Sequence, residues 1–108
     1  MTDCLSIENP TFRLDLLSSL STLLASSSLC DVILVCEDGQ VGAHKVMLAA
    51  TSSFFSSVLQ LQLNNHNHPL IYLRGVKIGQ LHSLLEFVYN GATRVAEDDF
   101  DSIIALAR

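Results

Sequence analysis

The sequence has no tryptophan, two prolines, and six lysines and arginines against eleven aspartates and glutamates. The shortage of positive charge bears first on partners. Nucleic-acid binding draws most of its affinity from Lys and Arg neutralising phosphates. Here Arg13, Lys45, Arg74, Lys77, Arg94 and Arg108 are scattered singly in a chain of net charge −5, so the segment is not expected to contact nucleic acid directly. Three cysteines, Cys4, Cys30 and Cys36, form an odd set without metal-type spacing. The N-terminus lacks the basic and apolar regions of a signal peptide, which together with the cysteines implies a reduced, intracellular setting. No apolar run approaches the roughly 18 residues of a membrane span. The five glycines make no phosphate-cradling loop, and no Gly-x-Ser-x-Gly elbow surrounds any of the thirteen serines, so neither a catalytic residue nor a cofactor is expected. What is plentiful is apolar surface. Hydrophobic residues make up 49% of 108, charged residues 16%, and the mean hydropathy is +0.39. That length and composition suit one compact domain and are too apolar for disorder. With 19 leucines, some apolar surface should remain outside after the core is filled.

Periodicity orders the chain without a repeat or an internal linker. Residues 5–7 predict a short N-terminal strand, and Asn9-Pro10 a cap and first turn. Phe12, Leu16, Leu17, Leu20, Leu23 and Leu24 then recur at helical spacing and fade into Ser26, Ser27 and Ser28. Residues 30–37 predict a strand apolar on both faces and therefore covered on both sides. Asp38-Gly39 predicts a hairpin turn, with residues 40–43 returning antiparallel. A helix over 44–51 follows, and Ser52 or Ser53 caps another that carries Phe54, Phe55, Val58 and Leu59. Residues 64–69 predict a polar loop and residues 70–73 a short strand. Ile78, Leu81, Leu84, Leu85 and Val88 form a further helical stripe stopped at Asn90-Gly91, the pair suited to a C-cap with positive φ. The last helix opens on Glu97, Asp98 and Asp99 and runs through Phe100, Ile103, Ile104 and Ala107 without a cap at Arg108, as expected of a chain cut within a helix from something longer.

Two blocks carry a family resemblance. The stretch Cys30-Asp31-Val32-Ile33-Leu34-Val35-Cys36 followed by His44-Lys45-Val46-Met47-Leu48-Ala49-Ala50-Thr51-Ser52-Ser53-Phe54-Phe55 resembles the signature of the BTB (or POZ) domain. There an Asp-Val strand leads to His-Lys-x-x-Leu-Ala-Ala/Ser-x-Ser-x-Phe/Tyr-Phe. Leu84-Leu85-Glu86-Phe87-Val88-Tyr89-Asn90-Gly91 is similar to the family's Leu-Leu-x-Phe-Met/Val-Tyr-x-Gly block. Cys4-Leu5-Ser6-Ile7-Glu8-Asn9 more loosely resembles the Cys-Leu-Arg-Trp-Asn-Asn opening of the tramtrack group of insect transcription factors, with Ser6 and Ile7 in place of Arg and Trp.

The resemblance implies an α/β (α+β) fold in which a small mixed sheet is flanked by a cluster of helices and the protein is dimeric through helix one. Residues 1–108 would form a single such domain, the N-terminal part of a longer protein. The expected activity is binding: homodimerisation, higher oligomers or heterodimers with other BTB domains, and recruitment of corepressor or chromatin proteins by a nuclear transcriptional regulator. The alternative is a cytoplasmic substrate adaptor for a cullin-type ubiquitin ligase. Such adaptors carry an apolar-x-Glu motif in the third helix, whereas Val58-Leu59-Gln60-Leu61-Gln62 has glutamines there. Leu5, Ile7, Phe12, Leu16, Leu17, Leu20 and Leu23 are the expected dimer interface, being more apolar surface than one side of so small a core covers. Asp31 and Lys45 are close to the core and need either pairing or a groove; the family's matching residues line a charged pocket near the dimer seam. His44, Tyr89 and Gly91 are expected to be structural, His44 through bonds to backbone.

Cys30 and Cys36 fall on one face of a strand, separated by roughly 20 Å of extended chain, too far for a mutual disulfide. His66 and His68 would need further ligands to hold a metal, and a solvated loop is expected instead. The purified domain should then carry no stoichiometric zinc by elemental analysis. Changing both histidines to Ala should alter stability by about 0.5 kcal/mol or less in urea unfolding.

Overall fold

The computed structural model describes residues 3–61 and 69–108; the expected loop with His66 and His68 lies outside them, as does Gln62. Helix α1 (Phe12–Ala25) begins after a turn that Asn9 builds. The Asn9 side chain accepts the Thr11 backbone N–H at 3.3 Å and its carbonyl accepts that of Phe12 at 3.1 Å. The helix ends in the serines. Beyond it Ser27 and Leu29 adopt left-handed backbone angles, with φ of 55° and 59°, costly for side chains bearing a Cβ.

Strands β1 (Val32–Cys36) and β2 (Gly39–Ala43) form an antiparallel hairpin, and β3 (Leu70–Tyr72) joins β1 in parallel, giving the order β2-β1-β3. Strand β1 is shorter than 30–37 at both ends. Its face of Val32, Leu34 and Cys36 is buried, but Ile33 and Val35 are only half-buried, so the second face is covered incompletely. The hairpin turn also sits one residue earlier than Asp38-Gly39. Glu37 and Asp38 form the loop, while Gly39 already pairs with Cys36. The reason for a glycine here is tertiary: a Cβ at Gly39 would meet Ile78 Cδ1 at 3.0 Å. Asp38 turns instead to Ile78, accepting its backbone N–H at 2.7 Å and so capping the following helix from 40 residues away.

That helix, α4 (Ile78–Asn90), shares one core with the sheet and with α2 (Lys45–Thr51), α3 (Ser53–Leu61) and α5 (Phe100–Ala107). The last helix does not begin at Glu97: one 3₁₀ turn, Glu97–Asp99, precedes it. The beginning of α3 and the end of α5 meet. Ser53 Oγ and the Phe54 N–H donate to the Arg108 carbonyl at 3.0 and 3.1 Å, and buried Ser52 donates to Leu106 at 2.8 Å. The core between these layers holds Leu34, Leu48, Phe55, Leu81, Leu84, Leu85 and Ile103.

Residues 5–7 are not a strand. Among the described residues the sheet pairs as β2-β1-β3, and this segment, which continues the half of α1 that stands clear of the core, joins neither edge, leaving Leu5 90% and Ile7 95% exposed. Helix α1 buries no residue fully; only Leu20 and Leu24 pack against the core. Residues 3–19 are exposed throughout, and the Cα radius of gyration is 16.4 Å, against about 13 Å for a compact domain of this size.

Leu29 combines 80% exposure with a left-handed backbone. Leu29→Gly should therefore raise stability by about 1 kcal/mol, read as a shifted urea midpoint at fixed protein concentration.

Candidate functional site

The surface that invites a partner is built on α1. Phe12, Leu16, Leu20 and Leu23 recur every three or four residues and make one seam. Leu20 and Leu24 lean toward the core, and Ser21 bonds Asn90 of α4 at 2.8 Å. The helix is therefore held by its C-terminal half. Its N-terminal half stands clear, leaving Phe12 56%, Leu16 45% and Leu17 40% exposed. Leu14, 73% exposed, adds to this surface although it lies off the regular stripe. Of the expected interface, Leu5, Ile7, Phe12, Leu16 and Leu17 are thus brought to the surface. Leu20 and Leu23 are half-buried already.

The second group surrounds His44, the residue before α2. Its Nε2 lies 2.8 Å from the Ser28 carbonyl, which can only accept, so Nε2 carries the proton. Nδ1 then accepts from the Tyr89 hydroxyl at 2.6 Å, and that same oxygen accepts the His44 backbone N–H at 3.0 Å. Both rings are buried, and each polar atom of the pair has a partner, which leaves no lone pair for general-base chemistry. Burial, above the other influences, pushes Tyr89 up to about 12. Cys30 Sγ lies 3.8 Å from His44 Nε2, yet burial and then the Asp31 charge push its thiol up, the opposite of an activated thiolate. Gly91 has φ 82° and donates its N–H to the Phe87 carbonyl at 2.8 Å, closing α4.

Asp31 is half-buried and its Oδ1 accepts the backbone N–H of Lys45 at 2.7 Å. The expected alternatives were a side-chain ion pair and a groove. In this position the carboxylate caps α2, whose own N-cap residue, His44, supplies no side-chain cap. Among the described residues, no group of three or more His, Cys, Asp and Glu is placed to hold a metal ion.

With this geometry in place, comparisons extend it. A family model described as "BTB/POZ domain" matches residues 20–108. The Drosophila melanogaster sex determination protein fruitless is 40% identical over 88 residues, 82% of this chain and 9% of that protein. Drosophila protein bric-a-brac 2 is 34% identical over 104 residues, 96% of this chain and 9% of that protein. The chain thus spans about a tenth of the length of these relatives. Among solved structures, the BTB domain of zebrafish PATZ1 superposes with a TM-score of 0.80 at 22% identity, covering 96% of this chain and 84% of that one.

Tyr89 keeps its proton to about 12 in the fold against 10 for an ordinary phenol. Its contribution to stability is therefore full below pH 10 and is lost as pH rises from 10 to 12. Tyr89→Phe should be less stable than wild type by about 2 kcal/mol at neutral pH, since His44 is left with unmet hydrogen bonds. Urea unfolding of both proteins across pH should show that gap narrowing above pH 10.

Proposed function

The chain belongs to the BTB/POZ domain family, and from that premise we propose that it acts by binding, as a homodimerisation and recruitment module of a nuclear transcriptional regulator. One observation carries the reading: α1 is apolar well beyond the strip that its own core covers, with Phe12, Leu14, Leu16 and Leu17 standing in solvent. A helix apolar on so many sides belongs inside a larger interface. A second copy supplies it with the same residues turned back, the self-complementary arrangement of a twofold dimer. Leu5 and Ile7, just upstream, extend the seam. The chain is shorter than its relatives, and the dimer would act on whatever else each copy carries. Two weakly binding modules joined in this way engage paired targets as one avid unit. In this reading the rim around Asp31 and Lys45 receives a corepressor segment.

Fusion of residues 1–108 to a monomeric zinc-finger array tests both parts. Binding to paired DNA sites should tighten by roughly a hundredfold, with little change at a single site. Phe12→Asp with Leu16→Asp, both at exposed positions, should abolish the gain while leaving a folded chain. Equal gains on single and paired sites would mean that the domain itself touches DNA. Asp31→Asn with Lys45→Gln keeps an oxygen to cap α2, so the dimer should survive while repression of a reporter weakens. Unchanged repression would count against recruitment there.

A further inference from the structure

A second open surface runs along the outer edge of the sheet, beside the C-terminal half of α1. Backbone groups in a strand point alternately to its two neighbours. In β1, the Ile33 N–H bonds the Pro69 carbonyl at 3.0 Å and the Val35 carbonyl accepts the Leu73 N–H at 2.8 Å, so these two residues serve the β3 side. Val32, Leu34 and Cys36 therefore face β2, where their partners are Ala43, Val41 and Gly39. The two residues between, Gln40 and Gly42, consequently direct their N–H and C=O groups outward. Among the described residues no backbone group bonds them there.

Natural edge strands are usually shielded by lysine, proline, an inward-pointing charge or a bulge. β2 reads Gly-Gln-Val-Gly-Ala, with no lysine, proline or charge, and its five residues hold one register with β1. A groove of about 650 Å³ runs beside it, within the range of natural ligand sites. Gln40, Val41 and Gly42 all line it. Consecutive residues point to opposite faces of a sheet, so the groove follows the edge rather than lying over one face. The far wall is Leu24 of α1 with Leu85 and Tyr89 of α4. Its one carboxylate is Glu86, and no lysine or arginine lines it, in a chain of net charge −5.

We propose that this edge binds an extended segment of a partner protein as a fourth strand, with apolar residues on one side of the segment and at least one lysine or arginine to meet Glu86. Backbone bonds to Gln40 and Gly42 supply the pairing; the alternating side chains fill the groove and reach the carboxylate. This site does not depend on the apolar half of α1, and its test does not require the dimer.

The probe is a capped hexapeptide alternating lysine and valine, titrated into the full chain with amide NMR and hydrogen exchange as readouts. The Gln40 and Gly42 amides should shift and exchange at least tenfold more slowly on saturation, and a glutamate–valine peptide should not bind. Gln40→Pro removes an outward N–H without touching the pairing to β1 and should weaken binding at least tenfold. Glu86→Lys, at an exposed position of α4, should do the same and remains informative if the proline variant fails to fold. Shifts centred elsewhere, or Glu86→Lys binding as wild type does, would overturn the proposal. So would Gln40 and Gly42 amides already protected before peptide is added, since the edge would then be occupied by a second copy or another part of this chain.

Discussion

The buried bonds between His44 and Tyr89 are the constraint on which the arrangement depends. They join residues 45 apart at 2.6 and 3.0 Å and tie the entry of α2 to the last turn of α4. The remaining ring nitrogen of His44 takes the carbonyl of Ser28, which also fixes the turn leaving α1. Presenting that carbonyl coincides with left-handed backbone at both neighbours, Ser27 and Leu29, a local cost that the surrounding bonds offset. An unmet donor or acceptor in such a site would cost about 1–3 kcal/mol. The knot therefore holds one geometry, and Asp31 and Asp38 reinforce it by capping α2 and α4 from either end of β1.

The consequence reaches α1. Because the turn at Ser28 and the contact of Ser21 with Asn90 anchor only the C-terminal part of the helix, its N-terminal half projects beyond the domain body, and the leucines there are left to a partner. The rest of the described fold leaves Phe12, Leu14, Leu16 and Leu17 exposed. The same anchoring opens the groove between α1, β2 and α4. One fixed helix thus carries an apolar seam along its N-terminal half and borders an open strand edge with its C-terminal half.

What could be read from the residues was what local pattern decides. The stripe from Phe12 to Leu24, the run from Val32 to Cys36 and the Asn90-Gly91 stop each carry their own period or cap, and each forms its element. Resemblance supplied the fold. The knot was less legible: His44 and Tyr89 were expected to be structural, but nothing in either neighbourhood names the other as its partner. The cap that Asp31 places on α2 was not legible, because charge is visible in a sequence and a backbone N–H awaiting a cap is not. Gly39 looked like a turn residue, though the space it leaves is taken by Ile78. Residues 5–7 looked like a strand on residue type alone, which does not show that the projecting half of α1 carries them away from the sheet. Leu14 escaped notice because it is off the stripe, and its meaning depends on how far the helix overhangs.

The central claim is that α1 completes its packing on a second copy. Sedimentation velocity of the full chain over a dilution series down to tens of micromolar tests it most directly. The account predicts a single species of twice 11.8 kDa, more compact per copy than the projecting α1 of one chain would allow. A soluble, folded species of 11.8 kDa throughout that range would contradict it.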